Sequence, residues 1–392
     1  MKKVLVLCSR PPYPLNSGGQ IRMFNNIKML SKKYIVDLLY INNDNSRPES
    51  LLEMKKYCRN VHSFEFKKYK FIRNTLLGLF RNSKPLQVNY YYFKEMQNWI
   101  DKNSNEYNLI FCNHIRTTEY VKNLKKFKIV DFVDSIAMNY EKALKNSGFL
   151  WKLVYLVECK RVREYEAYMN QTFDKSMITS IIDSEYIEKT SKKQVKIINH
   201  FISKKIDFEK LANIVQEEKS ICFLGKMNYE PNVNAVIYFA NEILPKLKSK
   251  IQNLKFYVIG GSPTERINKL TSQGIIVTGF VDDIDTLISK MNLFVAPMIS
   301  GSGIQTKILE AMLLKKCVVT TPIGAEGLEN LTGDELIITK NSTDMIERIE
   351  SLLLDSEKRK SVGESAYNYI KNYLTEESVS KEFLQYIEED LK

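Results

Sequence analysis

Histidine is scarce, with three in 392 residues, and the six cysteines at positions 8, 58, 112, 159, 222 and 317 include no CxxC pair. That leaves no basis for a histidine-rich metal centre or a disulfide framework. Cys8, Cys112, Cys222 and Cys317 sit in apolar, strand-like runs and read as reduced core thiols of a cytosolic protein. No apolar run approaches the roughly 18 residues needed to span a bilayer. The apolar run at 4–8 follows two lysines but stops at Ser9 and Arg10, too short for a signal peptide and better read as a first strand. Internal repeats and low-complexity linkers are also missing.

What is present suffices for two or three domains: 44% of the residues are hydrophobic. The net charge of +12 is unevenly placed. Residues 1–195 hold 34 Lys plus Arg against 19 Asp plus Glu, and the remainder 24 against 27. An acidic partner is therefore expected for the first part only, such as an anionic membrane surface; the plainer reading is extra solvated charge. The basic residues cluster between Lys55 and Lys84, interleaved with Tyr57, Phe64, Phe66, Tyr69, Phe71, Leu76, Leu77, Leu79 and Phe80. Within 67–84, Lys67, Lys68, Lys70, Arg73, Arg81 and Lys84 surround Phe71, Leu76, Leu77, Leu79 and Phe80, a pattern suited to lying on a bilayer face. No nucleic-acid recognition motif accompanies the charge, so nucleic acid is not expected as a partner.

Strands and helices alternate along the whole chain. A strand over 3–8, a loop with Gly18 and Gly19, a helix over about 20–31 and a strand over 35–41 make one βαβ unit. Gly18 and Gly19 fall where a backbone passes close to a ligand, although a tight turn would use them too. Further strands are expected over 109–112, ending in Asn113 and His114, and over 128–133, ending in Asp134 and Ser135. Polar residues at strand ends are the usual donors of chemistry in such sheets, which makes His114 and Asp134 candidates. A strand over 195–198 closes this part. The second part alternates likewise: a strand over 220–224 with Gly225 and Lys226 behind it, a helix over about 233–248, strands over 255–259 and 275–278, and then 294–321. There a strand over 294–298, a glycine turn at Gly301 to Gly303, a helix bearing Lys307 and Glu310, and a strand over 317–321 form a βαβ unit whose helix start is a candidate anion site. A last helix over 375–392 has Thr375 as its N-cap.

With Gly225, Gly260 and Gly279, the stretch Gly301 to Met312 and the run Thr320 to Gly327, the chain resembles the retaining glycosyltransferases of family 4, particularly those of bacterial surface-polysaccharide clusters. The resemblance implies an α/β GT-B fold: two doubly wound Rossmann-like domains with an interdomain crevice, an acceptor-binding domain over 1–198, a nucleotide-sugar-binding domain over 199–374, and a helix over 375–392 that returns to the first domain. Carried over by position, Glu310 bonds the nucleotide ribose, and Ser302, Gly303, Ile304 and Gln305 hold the diphosphate and donor sugar. Lys226 and Lys307 face the diphosphate, and the main chain at Phe280 and Val281 reads the base. The chain departs from the family at Ser302, where a glutamate is usual, at Pro231 and Asn232, where a second basic residue is usual, and at Asp134, where a histidine often stands.

The chemistry so implied moves a sugar, with retention, from a nucleotide diphosphate sugar to a saccharide or lipid-linked acceptor. Lys226, Lys307 and the helix start stabilise the leaving phosphate. That phosphate takes the acceptor proton, and His114 and Asp134 orient the substrates. Metal independence, no further cofactor, and a cytoplasmic enzyme peripheral to the inner membrane face are expected. A nucleotide-sugar epimerase of the same fold and a non-catalytic transferase-like subunit remain as alternatives.

Overall fold

A computed structural model of the chain describes residues 1–15, 17–43, 48–79, 84–144, 149–202, 204–301 and 304–391. They divide into one unit of Met1–His200 with Val379–Lys392 and a second of Phe201–Ser378.

In the first unit β1 (Lys3–Cys8), β2 (Ile35–Asn42), β3 (Asn60–Glu65), β4 (Leu109–Asn113), β5 (Phe127–Asp131), β6 (Lys175–Ile178) and β7 (Lys196–Ile197) form a parallel sheet in the order β3-β2-β1-β4-β5-β6-β7. Chain order reverses beside β1, so β1 and β4 flank the switch point where such sheets bind ligands. Both strands are almost wholly buried, as their unbroken apolar runs require. The first helix begins at Gly18, two residues before the expected start, because Ser17 caps it by accepting from Gln20 N. Gly18 and Gly19 thus lie in a helical turn. A Cβ at Gly18 would meet nothing within 4 Å, so close packing is not what calls for glycine there.

The strand expected over 128–133 stops at Asp131, whose carboxylate is fully buried. Its Oδ2 accepts from Arg22 Nε at 2.6 Å and from Asn26 Nδ2 at 2.6 Å, and Arg22 Nη1 donates to Asn199 O at 3.0 Å. One carboxylate therefore ties the first helix, β5 and the chain segment after β7 together. Oδ1 accepts from Val133 N at 3.0 Å, and Asp134 N donates to Phe132 O at 2.8 Å. The result is a γ-turn centred on Val133, whose φ of +67° is costly for a β-branched residue.

Phe71, expected on a membrane-facing surface, is instead core. It lies on the helix Lys68–Leu79, is 1% exposed, and meets Phe93 and Tyr91 edge-on. That helix turns Tyr69, Ile72, Leu76 and Leu77 outward. Phe80 and Arg81 lie outside the described residues. All six cysteines are buried and unbridged.

In the second unit β8 (Ser220–Leu224), β9 (Lys255–Ile259), β10 (Ile276–Gly279), β11 (Leu293–Ala296), β12 (Val318–Thr320) and β13 (Ile337–Ile338) form a parallel sheet in the order β10-β9-β8-β11-β12-β13, again with its switch point beside the first strand. The helix expected over 233–248 runs from Glu230 to Lys250 but passes through a π-turn at Phe239–Ile243. Pro245 follows immediately and lacks the N–H that a continuous ladder would use. The helix Glu376–Glu388 starts within the last residues of the second unit and continues into the segment from Val379 that belongs to the first; at its start Thr375 Oγ1 accepts from Ser378 N at 3.2 Å. Phe383 packs on Phe111 of β4, and the buried Lys175 ammonium bonds Tyr386 O at 2.5 Å and Asp390 at 2.9 Å.

Replacing Asp131 by Asn leaves the Arg22 guanidinium buried without its counter-ion. We expect the first unit to lose roughly 3–5 kcal/mol, measured by urea titration followed through hydrogen exchange of β1 and β4 amides. A loss below about 1 kcal/mol would show that Arg22 finds water and that the network is not a keystone.

Candidate functional site

At the switch point of the second unit the loops after β8 and β11 lie side by side. Gly225 ends β8 next to Asn232, whose amide donates to Lys226 O at 3.0 Å. A Cβ at Gly225 would run into that amide, and one at Gly260, where φ is +141°, would overlap Gly225 O. The glycines let two loop backbones touch. Lys226 projects an exposed side chain.

The helix after β11 spans Thr306–Leu313, starting two residues later than its apolar periodicity suggests. Its N-cap, Gln305, makes no side-chain cap hydrogen bond to the helix start. Ile308, Leu309, Ala311, Met312 and Leu313 fasten the helix to the core. Lys307 lies in the first turn. Its ammonium meets neutral groups only: Gln305 Oε1 at 2.9 Å, Met298 Sδ at 3.7 Å and, 5.6 Å away, the Phe223 ring. Burial pushes it down to about 8. Among the described residues no carboxylate pairs with it. Glu310, one turn on, is pushed up by burial, with Lys204 opposing and Asp285 adding to the rise; it makes no hydrogen bond among the described residues. At the end of β10, Gly279 has φ +66°, Phe280 is 79% exposed and Val281 packs against the core. The structure therefore gathers Gly225, Lys226, Ile304, Gln305, Lys307 and Glu310 around the carboxyl ends of β8 and β11, with Phe280 and Val281 beyond β10. Ser302 and Gly303 lie outside the described residues.

The first unit has a second cluster at its own switch point. His114 follows β4 with φ +74°, and its N–H donates to Asp131 O at 2.7 Å. The γ-turn at Val133 carries Asp134 to within 3.7 Å of His114 Nε2. Burial, with Arg116 and Arg10 near, pushes His114 down to about 4 despite Asp134. Burial alone would raise the Asp134 carboxyl; His114, Arg116 and Asn139 outweigh it and hold it below its ordinary value. At neutral pH the pair is thus a neutral imidazole beside a carboxylate. Its imidazole Nδ1 is buried without a partner among the described residues. Gly19 stands beside the Arg10 guanidinium, and Gly18 has no such neighbour.

Several participants gave no sequence signal. Arg116, on the turn Ile115–Tyr120, donates to Gln87 at 2.8 Å and lies 5.4 Å over the Tyr91 ring. Glu166, pushed up to about 8 by burial, accepts from Ser135 Oγ and Ile136 N and so caps the helix behind Asp134. Arg10 was visible only as a loop residue. Among the described residues no group of three or more His, Cys, Asp or Glu is placed to hold a metal ion, and no helix is long and apolar enough to cross a membrane.

Residues 218–355 match the family model described as glycosyl transferases group 1. Along 95% of its length the chain is 22% identical to an uncharacterized 44.6 kDa protein in the cps region of Klebsiella pneumoniae, covering 97% of that protein. Sucrose-phosphate synthase from Thermosynechococcus elongatus superposes with a TM-score of 0.65 at 13% identity, covering 98% of each chain. HepE of Anabaena, solved in complex with UDP, superposes with a TM-score of 0.61 at 12% identity, covering 98% of this chain and 99% of its own. The fold is that of the GT-B glycosyltransferases.

A buried ammonium without a counter-ion costs stability that a bound anion would restore. In the folded chain Lys307 titrates near 8 and in the unfolded chain near 10.5, so the cost is full below pH 8 and vanishes as pH rises to 10.5. Lys307→Met is expected to raise the melting temperature of the second unit at pH 7, with the gain shrinking steadily between pH 8 and 10.5. Calorimetric scans at four pH values check this, and a gain that does not depend on pH would refute it.

Proposed function

We propose that the protein is a glycosyltransferase that moves a sugar from a nucleotide diphosphate sugar to a saccharide or lipid-linked acceptor with retention, in polysaccharide biosynthesis. The observation that carries this reading is the half-buried ammonium of Lys307, which no carboxylate among the described residues pairs, in the first turn of the helix at the second unit's switch point. Cation, backbone donors of the helix start and positive dipole end converge there, and a diphosphate satisfies all three. The match over 218–355 covers this same locus, the relative in a cps region supports the pathway, and the UDP bound to HepE supports the donor class.

The roles follow from position. Negative charge grows on the leaving diphosphate as the glycosidic bond breaks, so Lys307 and the helix start stabilise the transition state more than the ground state. Lys226 adds a mobile cation from the loop after β8. Glu310, half-buried on the helix with no hydrogen-bond donor among the described residues, accepts hydrogen bonds from ribose hydroxyls. The exposed Phe280 ring offers a face for the base, beside main chain at Val281. Retention is attributed to the leaving phosphate accepting the acceptor's proton, with Asp134 and neutral His114 holding substrates. Neither a protein-held metal nor a further cofactor enters this scheme.

Calorimetric titration of the full chain with UDP tests the reading. UDP is expected to bind, and Glu310→Ala to weaken binding by roughly 1.5–3 kcal/mol through loss of charge-assisted hydrogen bonds. Failure of UDP, GDP and ADP alike to bind the wild type would sink the proposal, and an inverted anomeric centre in the product would remove its retaining part.

We also propose that the enzyme works at the inner face of the cell membrane through the helix Lys68–Leu79. There Tyr69, Ile72, Leu76 and Leu77 are exposed together with Lys67, Lys68 and Arg73. Lys70 and Lys84 contribute less, since Glu95 and Glu119 pair with them at 3.6 and 2.5 Å. Each free cation near an anionic surface adds about 1 kcal/mol, screened by salt. Co-sedimentation with anionic vesicles should be strong at low salt and fall at least tenfold when Lys67, Lys68 and Arg73 become Gln. Equal pelleting of both proteins would reduce the helix to a solvated face.

A further inference from the structure

Beyond the carboxyl ends of β1 and β2 the first unit carries a half-open cavity of about 330 Å³, at the small end of ligand sites and so sized for a single ring rather than a chain. Four of its lining groups are buried polar atoms with no hydrogen-bond partner among the described residues: Ser9 Oγ, Arg10 Nε, Asn42 Nδ2 and Ser50 Oγ. Ser9 and Asn42 are each 1% exposed. Folded proteins rarely leave such atoms unpaired, and four converging on one space point to a ligand that pairs them. Arg10 Nε and Asn42 Nδ2 donate only, so the ligand presents acceptor oxygens.

The charge around the cavity narrows the class further. Among the described lining residues there is no carboxylate, and Arg10 is the cation. Burial lowers the proton affinity of Arg116 and of His114, and the charge of Arg10 adds a smaller part to both falls. Part of the remaining wall is aromatic. Phe71, Tyr90 and Tyr91 are mutually packed at ring separations of 4.8 to 6.1 Å, and Arg116 braces Tyr91 from outside. A rigid apolar wall facing a cationic, donor-rich wall suits a ring with one apolar face and an anionic substituent.

We propose that this cavity binds an acceptor sugar bearing an anionic group, a carboxylate or a phosphate, and that Arg10 and Asn42 recognise that group. The inference rests on the transferase reading and deepens it by naming the acceptor class. A carboxylate would belong to an acidic sugar. A phosphate would belong to the linkage between a sugar and its lipid carrier.

The test titrates the full chain with methyl glucuronide, glucose 1-phosphate and methyl glucoside, read by saturation-transfer NMR, on the wild type and on Arg10→Gln and Asn42→Ala. One anionic sugar is expected to bind at least tenfold more tightly than methyl glucoside, with Arg10→Gln abolishing that preference while leaving the glucoside unchanged. Preference for the glucuronide identifies the carboxylate source, and preference for the 1-phosphate the carrier linkage. Equal binding of all three sugars, binding of none, or a preference that survives Arg10→Gln overturns the proposal. UDP titration of the same samples keeps the two readings separate. Retained UDP binding with no anion preference removes this inference alone, and it also shows that the variants are folded.

Discussion

The first unit is built around one buried carboxylate. Asp131 neutralises Arg22 in the interior, and its four further contacts are geometric: Asn26 on the first helix, Val133 N in the turn behind β5, His114 N through its carbonyl, and, by way of Arg22, Asn199 beyond β7. A charge taken out of water survives only if its surroundings are fixed. Here that requirement sets the positions of two strand ends, one helix and the start of the crossing to the second unit. The positive φ values at His114 and Val133 follow from it, since strained backbone persists only where contacts over-determine it. His114 and Asp134 therefore meet because Asp131 lies behind both.

The second unit uses the opposite arrangement. Where Asp131 and Arg22 satisfy one another, Lys307 and Glu310 are left half-buried on one helix without an ion-pair partner among the described residues, each shifted toward its uncharged form. Such groups weaken the empty protein and strengthen the occupied one. The apolar face of the helix Thr306–Leu313 makes this tolerable, because its buried side chains anchor the element without help from the charged ones.

Most strands were legible because parallel strands buried on both faces write continuous apolar runs; β1, β4, β8 and β9 fall within a residue of their expected limits. Boundaries slipped where a side chain intervened. Ser17 pulls the first helix back to Gly18, and the Asp131 network ends β5 before the apolar run does. Lys307 and Glu310 were visible by spacing and resemblance, whereas Arg116 and Glu166 carried no signal because their roles depend on partners 29 to 31 positions away. Phe71 misled because an aromatic among lysines looks the same whether the helix turns it outward or inward. Only its packing on Phe93 decides.

Residues 379–392 belong to the first unit although the whole second unit precedes them in the chain. Translation therefore delivers the partners of Phe111 and Lys175 last, after the intervening 178 residues from Phe201 to Ser378 have left the ribosome. Until then one apolar ring and one ammonium of the first sheet wait without Phe383 and Tyr386. The two units thus differ in their dependence on the order of synthesis: the second is contiguous in the chain, while the first is complete only once a helix encoded beyond the second has emerged.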